Sequence, residues 1–283
     1  METSIRRQAL SELLNKARLS GKTIGFVPTM GALHKGHISL VERALKENQV
    51  VVASIFVNPT QFNNKNDLIN YPRALESDSL LLKNSGCDIL FLPDVLEMYP
   101  NGLQEPLQEI NLGGLDRTME GANRPGHFAG VIQVVKKLFD AVGICRAYFG
   151  EKDFQQLAII RKMVKEWKLP VEIIGCPIVR EPDGLAMSSR NVRLNPDERK
   201  IAPLISQALF KAKELWKEHS VDEIKKTVAA IIDSQKSLRL EYFEIADAEN
   251  LQPVRERQKK NSVACIAVHL GNVRLIDNVV LAE

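Results

Sequence analysis

The run Met30-Gly31-Ala32-Leu33-His34-Lys35-Gly36-His37 sets two imidazoles three positions apart, between an apolar stretch (Thr23-Ile24-Gly25-Phe26-Val27) and an amphipathic one, Ile38 to Lys46. A strand feeding a helix there leaves free backbone N–H groups and a partial positive charge at the helix start. Such a place takes phosphate, and the imidazoles add donors that can follow charge as it develops. Pro28 and Gly31 shape a tight turn, and Gly36 lets a ligand approach the backbone. Charge-assisted hydrogen bonds of this kind contribute about 1.5–3 kcal/mol each. The chemistry expected is that of an enzyme acting on a nucleoside triphosphate. By spacing alone the two histidines also fit ordinary turn residues. A zinc site fits less well, because no other His or Cys stands nearby in sequence to complete a ligand set.

Three further clusters carry polar groups of the same kind. Asn58-Pro59-Thr60-Gln61-Phe62 follows the apolar run Val50 to Val57. It reads either as a strand-ending turn or as two amides, Asn58 and Gln61, that clamp a small polar substrate. Gly150-Glu151-Lys152-Asp153-Phe154-Gln155-Gln156 also follows an apolar run and opens a helical pattern, with Asp153 placed as an N-cap. Its lysine is a compact point charge suited to a triphosphate, and Gln156 falls one helical turn in. Met187-Ser188-Ser189-Arg190 offers two hydroxyls and a guanidinium without an acidic competitor. That is either a polar linker or a phosphate clamp.

The elements that must position these groups follow from periodicity. Strands are expected over 23–28, 50–57, 88–92, 146–149 and 171–179, and helices over 37–47, 73–85, 127–141 and 153–167. Met1 to Leu14 reads as a charged helical pattern. Strands alternating with helices predict a Rossmann-like α/β domain, a parallel sheet with helices on both faces, spanning residues 1–180. In such sheets ligands bind beyond the carboxyl ends of the strands. The Gly-, Pro- and Asn-rich segment 99–126 reads as a long functional loop. The pattern changes after the turn signal Glu181-Pro182-Asp183-Gly184. Helices over 196–218 and 221–236 are followed by strands over 240–246, 262–269 and 273–276. This predicts a smaller α+β domain over 181–283. Asn195-Pro196-Asp197-Glu198 reads as a capped helix start, and Gly271-Asn272 as a hairpin turn.

Composition narrows the class. The chain has 283 residues, with 38 basic and 35 acidic side chains leaving +3. Basic residues are spread out, and the densest run, Arg255 to Lys260, is broken by Glu256 and Gln258. It reads as a solvated loop and argues against a nucleic-acid partner. The four cysteines lie far apart, without metal-type spacing, as suits buried thiols in a reducing cytoplasm. No apolar run reaches the ~20 residues of a membrane span, so a membrane partner is not expected.

Five motifs taken together resemble one family. They are Pro28 to His37, Phe56 to Phe62, Arg124-Pro125-Gly126-His127-Phe128-Ala129-Gly130-Val131, Tyr148 to Leu157, and Asp183 to Asn191. From about Thr23 to its C-terminus the chain is similar to the pantothenate synthetase (pantoate–β-alanine ligase) family. The His-x-Gly-His element alone is shared with the wider nucleotidyltransferase superfamily, the nearest rival class. One departure is Cys145-Arg146, where the family often has Pro-Asp.

The resemblance implies ligation in two steps, through a pantoyl adenylate, with ATP as substrate alongside Mg2+ and no tightly bound organic cofactor. It implies ATP binding by Met30, Gly31, Ala32, Leu33, His34, Lys35, Gly36, His37, Gly150, Glu151, Lys152, Asp153, Val179, Met187, Ser188, Ser189 and Arg190. Lys35 occupies a variable position. His34, His37 and Lys152 would be catalytic, with His37, taken as nearest the helix start, the proton donor. Pantoate would meet Gln61, Gln156 and Asn58, and β-alanine would meet Gln61. Asp78 would lie near the magnesium. The resemblance further implies a C-terminal lid, a homodimer and a cytoplasmic enzyme.

Overall fold

The computed structural model describes residues 1–257 and 261–281. In chain order its first elements are β1 (Glu2–Ser4), α1 (Arg7–Leu19), β2 (Ile24–Thr29), α2 (Lys35–Glu47) and β3 (Val50–Ile55). Then come α3 (Lys65–Ile69), α4 (Leu75–Asn84), β4 (Ile89–Phe91), α5 (Val95–Met98), α6 (Met119–Asn123), α7 (His127–Val142) and β5 (Cys145–Gly150). The rest are α8 (Phe154–Glu166), β6 (Val171–Cys176), α9 (Pro196–Ile201), α10 (Leu204–Leu215), α11 (Val221–Asp233), β7 (Leu238–Asp247), β8 (Ser262–Leu270) and β9 (Val273–Leu281). The chain falls into two compact units. One comprises Met1–Leu112, Arg124–Glu151 and Gln156–Pro177; the other comprises Gly113–Asn123, Lys152–Gln155 and Ile178–Glu283. The second thus draws on two earlier segments besides the C-terminal stretch, and the 181–184 turn lies inside it.

The first unit is built on a six-stranded sheet in the order β1-β4-β3-β2-β5-β6, every neighbouring pair parallel. Side chains alternate across its faces. Phe26 and Phe149 meet Phe139 of α7 edge-on, at 6.3 and 6.4 Å between ring centroids. Their neighbours Val27 and Tyr148 join Leu40, Val41 and Ala44 of α2 and Leu82 of α4 in a buried cluster. Helices therefore cover both faces, which is why these strands are almost continuously apolar. From β2 the order runs outward through β3 and β4 on one side, and through β5 and β6 on the other. The reversal falls between β2 and β5, a topological switch point whose carboxyl side is where such sheets hold ligands.

The second unit carries an antiparallel sheet, β7-β8-β9, with α10 and α11 packed in one apolar cluster with it. The expected helix over 196–218 is two helices. Pro203 lacks the N–H a continuous helix would need, and α10 begins just after it. Asn195 caps α9 in a capping box with Glu198, as its sequence suggested. Met1 to Leu14 is not one helix, because β1 precedes α1 and pairs with β4. Strands expected to reach Val57 and Val179 stop at Ile55 and Cys176. The segment 99–126 is irregular except for α6. Its helical residues are tied to the second unit's sheet. Arg274 grips the buried Glu120 through two nitrogens, at 2.9 and 2.7 Å, and also pairs with Glu241. Burial opposes the Arg274 charge, but the hydrogen bonds to Glu120 and Glu241 prevail and hold its pKa above the usual range. Of the Arg255–Lys260 run, Arg255, Glu256 and Arg257 are exposed; 258–260 lie outside the described residues.

All four cysteines are free and buried. Burial pushes the Cys87 thiol up to about 11 and the Cys145 thiol up to about 12, and raises Cys176 and Cys265 as well. At pH 8 the thiolate fraction of Cys87 is then on the order of a thousandth. The folded protein should consume almost no Ellman's reagent at that pH, and four equivalents once unfolded in guanidinium. Rapid titration of any thiol in the native protein would contradict the buried placement.

Candidate active site

After β2 the chain turns through Gly31 (φ 81°) and Ala32 (φ 50°), both in the left-handed region. Glycine adopts that conformation freely, whereas for alanine it stores strain. The turn is anchored from outside. The Asp78 side chain, 2% exposed, accepts the Ala32 and Leu33 N–H groups, each at 2.7 Å, one on each carboxylate oxygen. Asp78 comes from the first turn of α4, so a distant helix fixes the loop.

Helix α2 begins at Lys35, two residues earlier than the sequence pattern indicated, and His34 is its N-cap. His34 Nδ1 accepts the Gly36 N–H at 3.1 Å, and His37 Nδ1 accepts the His34 N–H at 3.3 Å. The two imidazoles therefore form a reciprocal capping box, the arrangement usually made by Ser or Thr with Glu. Their ring centroids lie 4.1 Å apart. His34, not His37, stands nearest the helix start. Because each Nδ1 faces a backbone N–H, the proton of each neutral ring sits on Nε2. The two rings stand at a helix start that has no acidic residue in its first turn. An anion there meets donors and the helix dipole together.

Asn58 and Gln61 follow β3, on the same carboxyl edge of the sheet. Asn58 is 1% exposed and its amide is engaged within the protein. It donates to Gly130 O (3.1 Å) and Gln61 Oε1 (3.2 Å), and accepts from Tyr99 Oη (2.7 Å) and from the Thr60 N–H and hydroxyl. These bonds set the Asn58 amide against Gln61. Gln61 Nε2 rests on Met30 Sδ at 3.0 Å. The Gln61 backbone carbonyl accepts from Nδ1 of the buried His127 at 2.8 Å. Helix α7 comes so close that a Cβ on Gly130 would lie 2.5 Å from the Thr60 carbonyl oxygen. In the sequence His127 and Gly130 stand in a motif that assigns them no role, and Tyr99 stands in none. A tyrosine ahead of an irregular segment carries no local sign of its partner 41 residues away.

Gly150 ends β5, the strand beside β2, and Glu151 begins a 3-10 turn that closes at Asp153 and leads into α8. Asp153, expected as an N-cap, ends that turn and directly precedes α8. Gln156, two residues inside α8, is half-buried. In the second unit the Lys152 carbonyl accepts from Asn278 Nδ2 at 2.8 Å, which fixes the backbone beneath that side chain. There too the Val179 carbonyl accepts the Met187 N–H at 3.0 Å, closing a small hairpin around Gly184. Ser188 caps the 3-10 turn Ser189–Arg193 by accepting the Arg190 N–H at 3.3 Å. Met187 and Ser189 are buried; Ser188 and Arg190 are half-buried, and Lys35 is exposed. So His34, His37, Met30, Asn58 and Gln61 are fixed on the first unit's sheet edge, and Lys152, Val179 and Met187 to Arg190 within the second unit.

A family model described as pantoate-beta-alanine ligase matches residues 3–280 of this chain. The chain belongs to the pantoate–β-alanine ligase family. Among curated members of that family, the pantothenate synthetase of Bacteroides thetaiotaomicron is 55% identical over 271 residues, covering 95% of each chain. A crystal structure of pantothenate synthetase from Thermus thermophilus superimposes with a TM-score of 0.93 at 44% identity over the whole of both chains. A pantoate-beta-alanine ligase from Francisella tularensis, complexed with beta-gamma ATP and beta-alanine, superimposes with a TM-score of 0.80 at 35% identity, covering 99% of this chain and 97% of that one. The family's fold, a parallel sheet with flanking helices and a small antiparallel C-terminal sheet, is the fold described above.

Proposed function

We propose that this chain is the AMP-forming ligase that joins pantoate to β-alanine. In the first step the pantoate carboxylate attacks the α-phosphorus of ATP; pyrophosphate leaves and pantoyl adenylate forms. In the second the β-alanine amine attacks the acyl carbon; AMP leaves and the amine gives up a proton. Two steps are needed because a carboxylate acylates poorly, whereas AMP is a far better leaving group than hydroxide. The protein's tasks are then positioning and stabilisation of developing charge. The observation that carries the reading is the reciprocal histidine cap beside the switch point, in a chain of this family.

Each residue then takes a role. His34 and His37 donate from Nε2–H to the ATP phosphates, with the backbone from Met30 to Gly36 around them. Gly150, Glu151, Lys152 and Asp153 serve ATP as well, Lys152 as a point charge. Val179 serves the base, and Met187 to Arg190 the phosphates. Gln61 and Gln156 bind pantoate. Magnesium would be held chiefly by the phosphates themselves, because among the described residues no three His, Cys, Asp or Glu side chains gather as a metal would require. Asp78 already spends both oxygens on backbone N–H groups. Among the described residues no helix is long and apolar enough to cross a membrane. A homodimer in the cytoplasm completes the proposal, and sedimentation of the purified chain reads the oligomeric state.

The test is isotope exchange between pyrophosphate and ATP. Exchange is expected with pantoate alone, and net AMP and pantothenate only once β-alanine is added. Exchange that ignores pantoate would point to a different acceptor in the nucleotidyltransferase superfamily. No exchange with any of these substrates would overturn the reading.

A further inference from the structure

Which end of the Gln61 amide faces the ligand is settled by backbone groups of fixed polarity. The Gly130 carbonyl can only accept, so Asn58 turns Nδ2 toward it, at 3.1 Å. The Thr60 N–H can only donate, so Asn58 turns Oδ1 toward that side, where the Tyr99 hydroxyl donates to the same oxygen at 2.7 Å. The remaining N–H of Asn58 then meets Gln61 Oε1 at 3.2 Å. The Gln61 NH2 end is left facing Met30, resting on a thioether sulfur.

We infer that Tyr99 is a positioning residue for the acid substrate, acting through Asn58 to hold Gln61 with its NH2 end toward the ligand. This rests on the assignment of Gln61 to pantoate made above. Thioether sulfur is a weak acceptor. An oxygen of the incoming acid would replace it and make a stronger bond. A protonated amine would meet a donor with a donor, so this amide favours an oxygen acceptor over the ammonium form of β-alanine. Tyr99 is 1% exposed and its ring stacks toward Phe56 at 6.3 Å between centroids. It supplies the relay with a hydroxyl whose one proton goes to Asn58 Oδ1, with Thr60 Oγ1 3.3 Å away.

The experiment is a double-mutant cycle of Tyr99→Phe and Gln61→Ala, read as KM for pantoate and for ATP, with thermal melts as a check on folding. Tyr99→Phe keeps the ring and removes one hydrogen bond. It should raise the pantoate KM about 3- to 10-fold and leave the ATP KM unchanged, a split that general loosening would not give. In the Gln61→Ala background the same change should add nothing, because the relay would have no end to act on. An equal rise in both backgrounds overturns the relay. So does a Tyr99→Phe enzyme with the wild-type pantoate KM, provided Gln61→Ala raises it. If Gln61→Ala itself leaves the pantoate KM untouched, the assignment of Gln61 fails, and this inference falls with it.

Discussion

Replacing His37 with alanine is expected to slow ligation by about 10²–10³-fold, the usual loss when one donor to a transition state is removed. The accompanying loss of stability should be only about 1 kcal/mol, because the capping bond it supplies is one of several at that helix start. His34 needs a different design, since it is the N-cap of α2 and, in the proposed site, a donor through Nε2–H. Asparagine caps helices well but places no donor where the imidazole Nε2 stands. His34→Asn should therefore melt near the wild-type temperature while turning over far more slowly. His34→Ala should lose on both counts. A wild-type kcat in His37→Ala, or full activity in His34→Asn, would take the corresponding ring out of the chemistry.

Asp78→Ala should produce the largest loss of stability. It removes two short hydrogen bonds to an ionised acceptor, each worth about 1.5–3 kcal/mol. It also releases a turn in which Ala32 is held at φ 50°. A loss of about 3 kcal/mol or more is expected, read as a fall in the urea midpoint at unchanged m, together with a higher KM for ATP. Asp78→Asn keeps one acceptor and should lose less. A wild-type midpoint in Asp78→Ala, with an altered magnesium requirement instead, would make this carboxylate a metal ligand and not an anchor.

These two sites also show what sequence can convey. The β2–α2 junction was legible because its signals are local: an apolar run, a glycine turn, then an amphipathic period. The helix start was misplaced by two residues because histidine is not a habitual N-cap. Only the fold shows that the His34 ring caps the Gly36 N–H while the His37 ring accepts the His34 N–H. The loop anchoring by Asp78 and the contact of Tyr99 were illegible for another reason. Their partners lie 46 and 41 residues away, and a hydrogen bond across such a span leaves no periodicity to read. The alternating strands and helices of the large sheet were legible for the same reason as β2. The three-residue β1, with an exposed Glu2 and Thr3, was not, because its pairing with β4 is decided by the sheet edge and not by its own composition. The break between α9 and α10 was missed although Pro203 stands in plain view, since the apolar period continues across it.

The grip of Arg274 on Glu120 bears on how this gene can be cut. The chain passes between its two units five times, and the small unit is completed by residues borrowed from before α7 and from the turn that opens α8. A fragment starting at Ile178 would carry a shielded guanidinium stripped of one of its two counter-charges, and losing a partner from a shielded ion pair costs about 3–5 kcal/mol. Such a piece is a poor candidate for expression by itself or for grafting onto a relative. Swaps between family members should therefore exchange Gly113–Asn123 along with the C-terminal stretch, as one interlaced module.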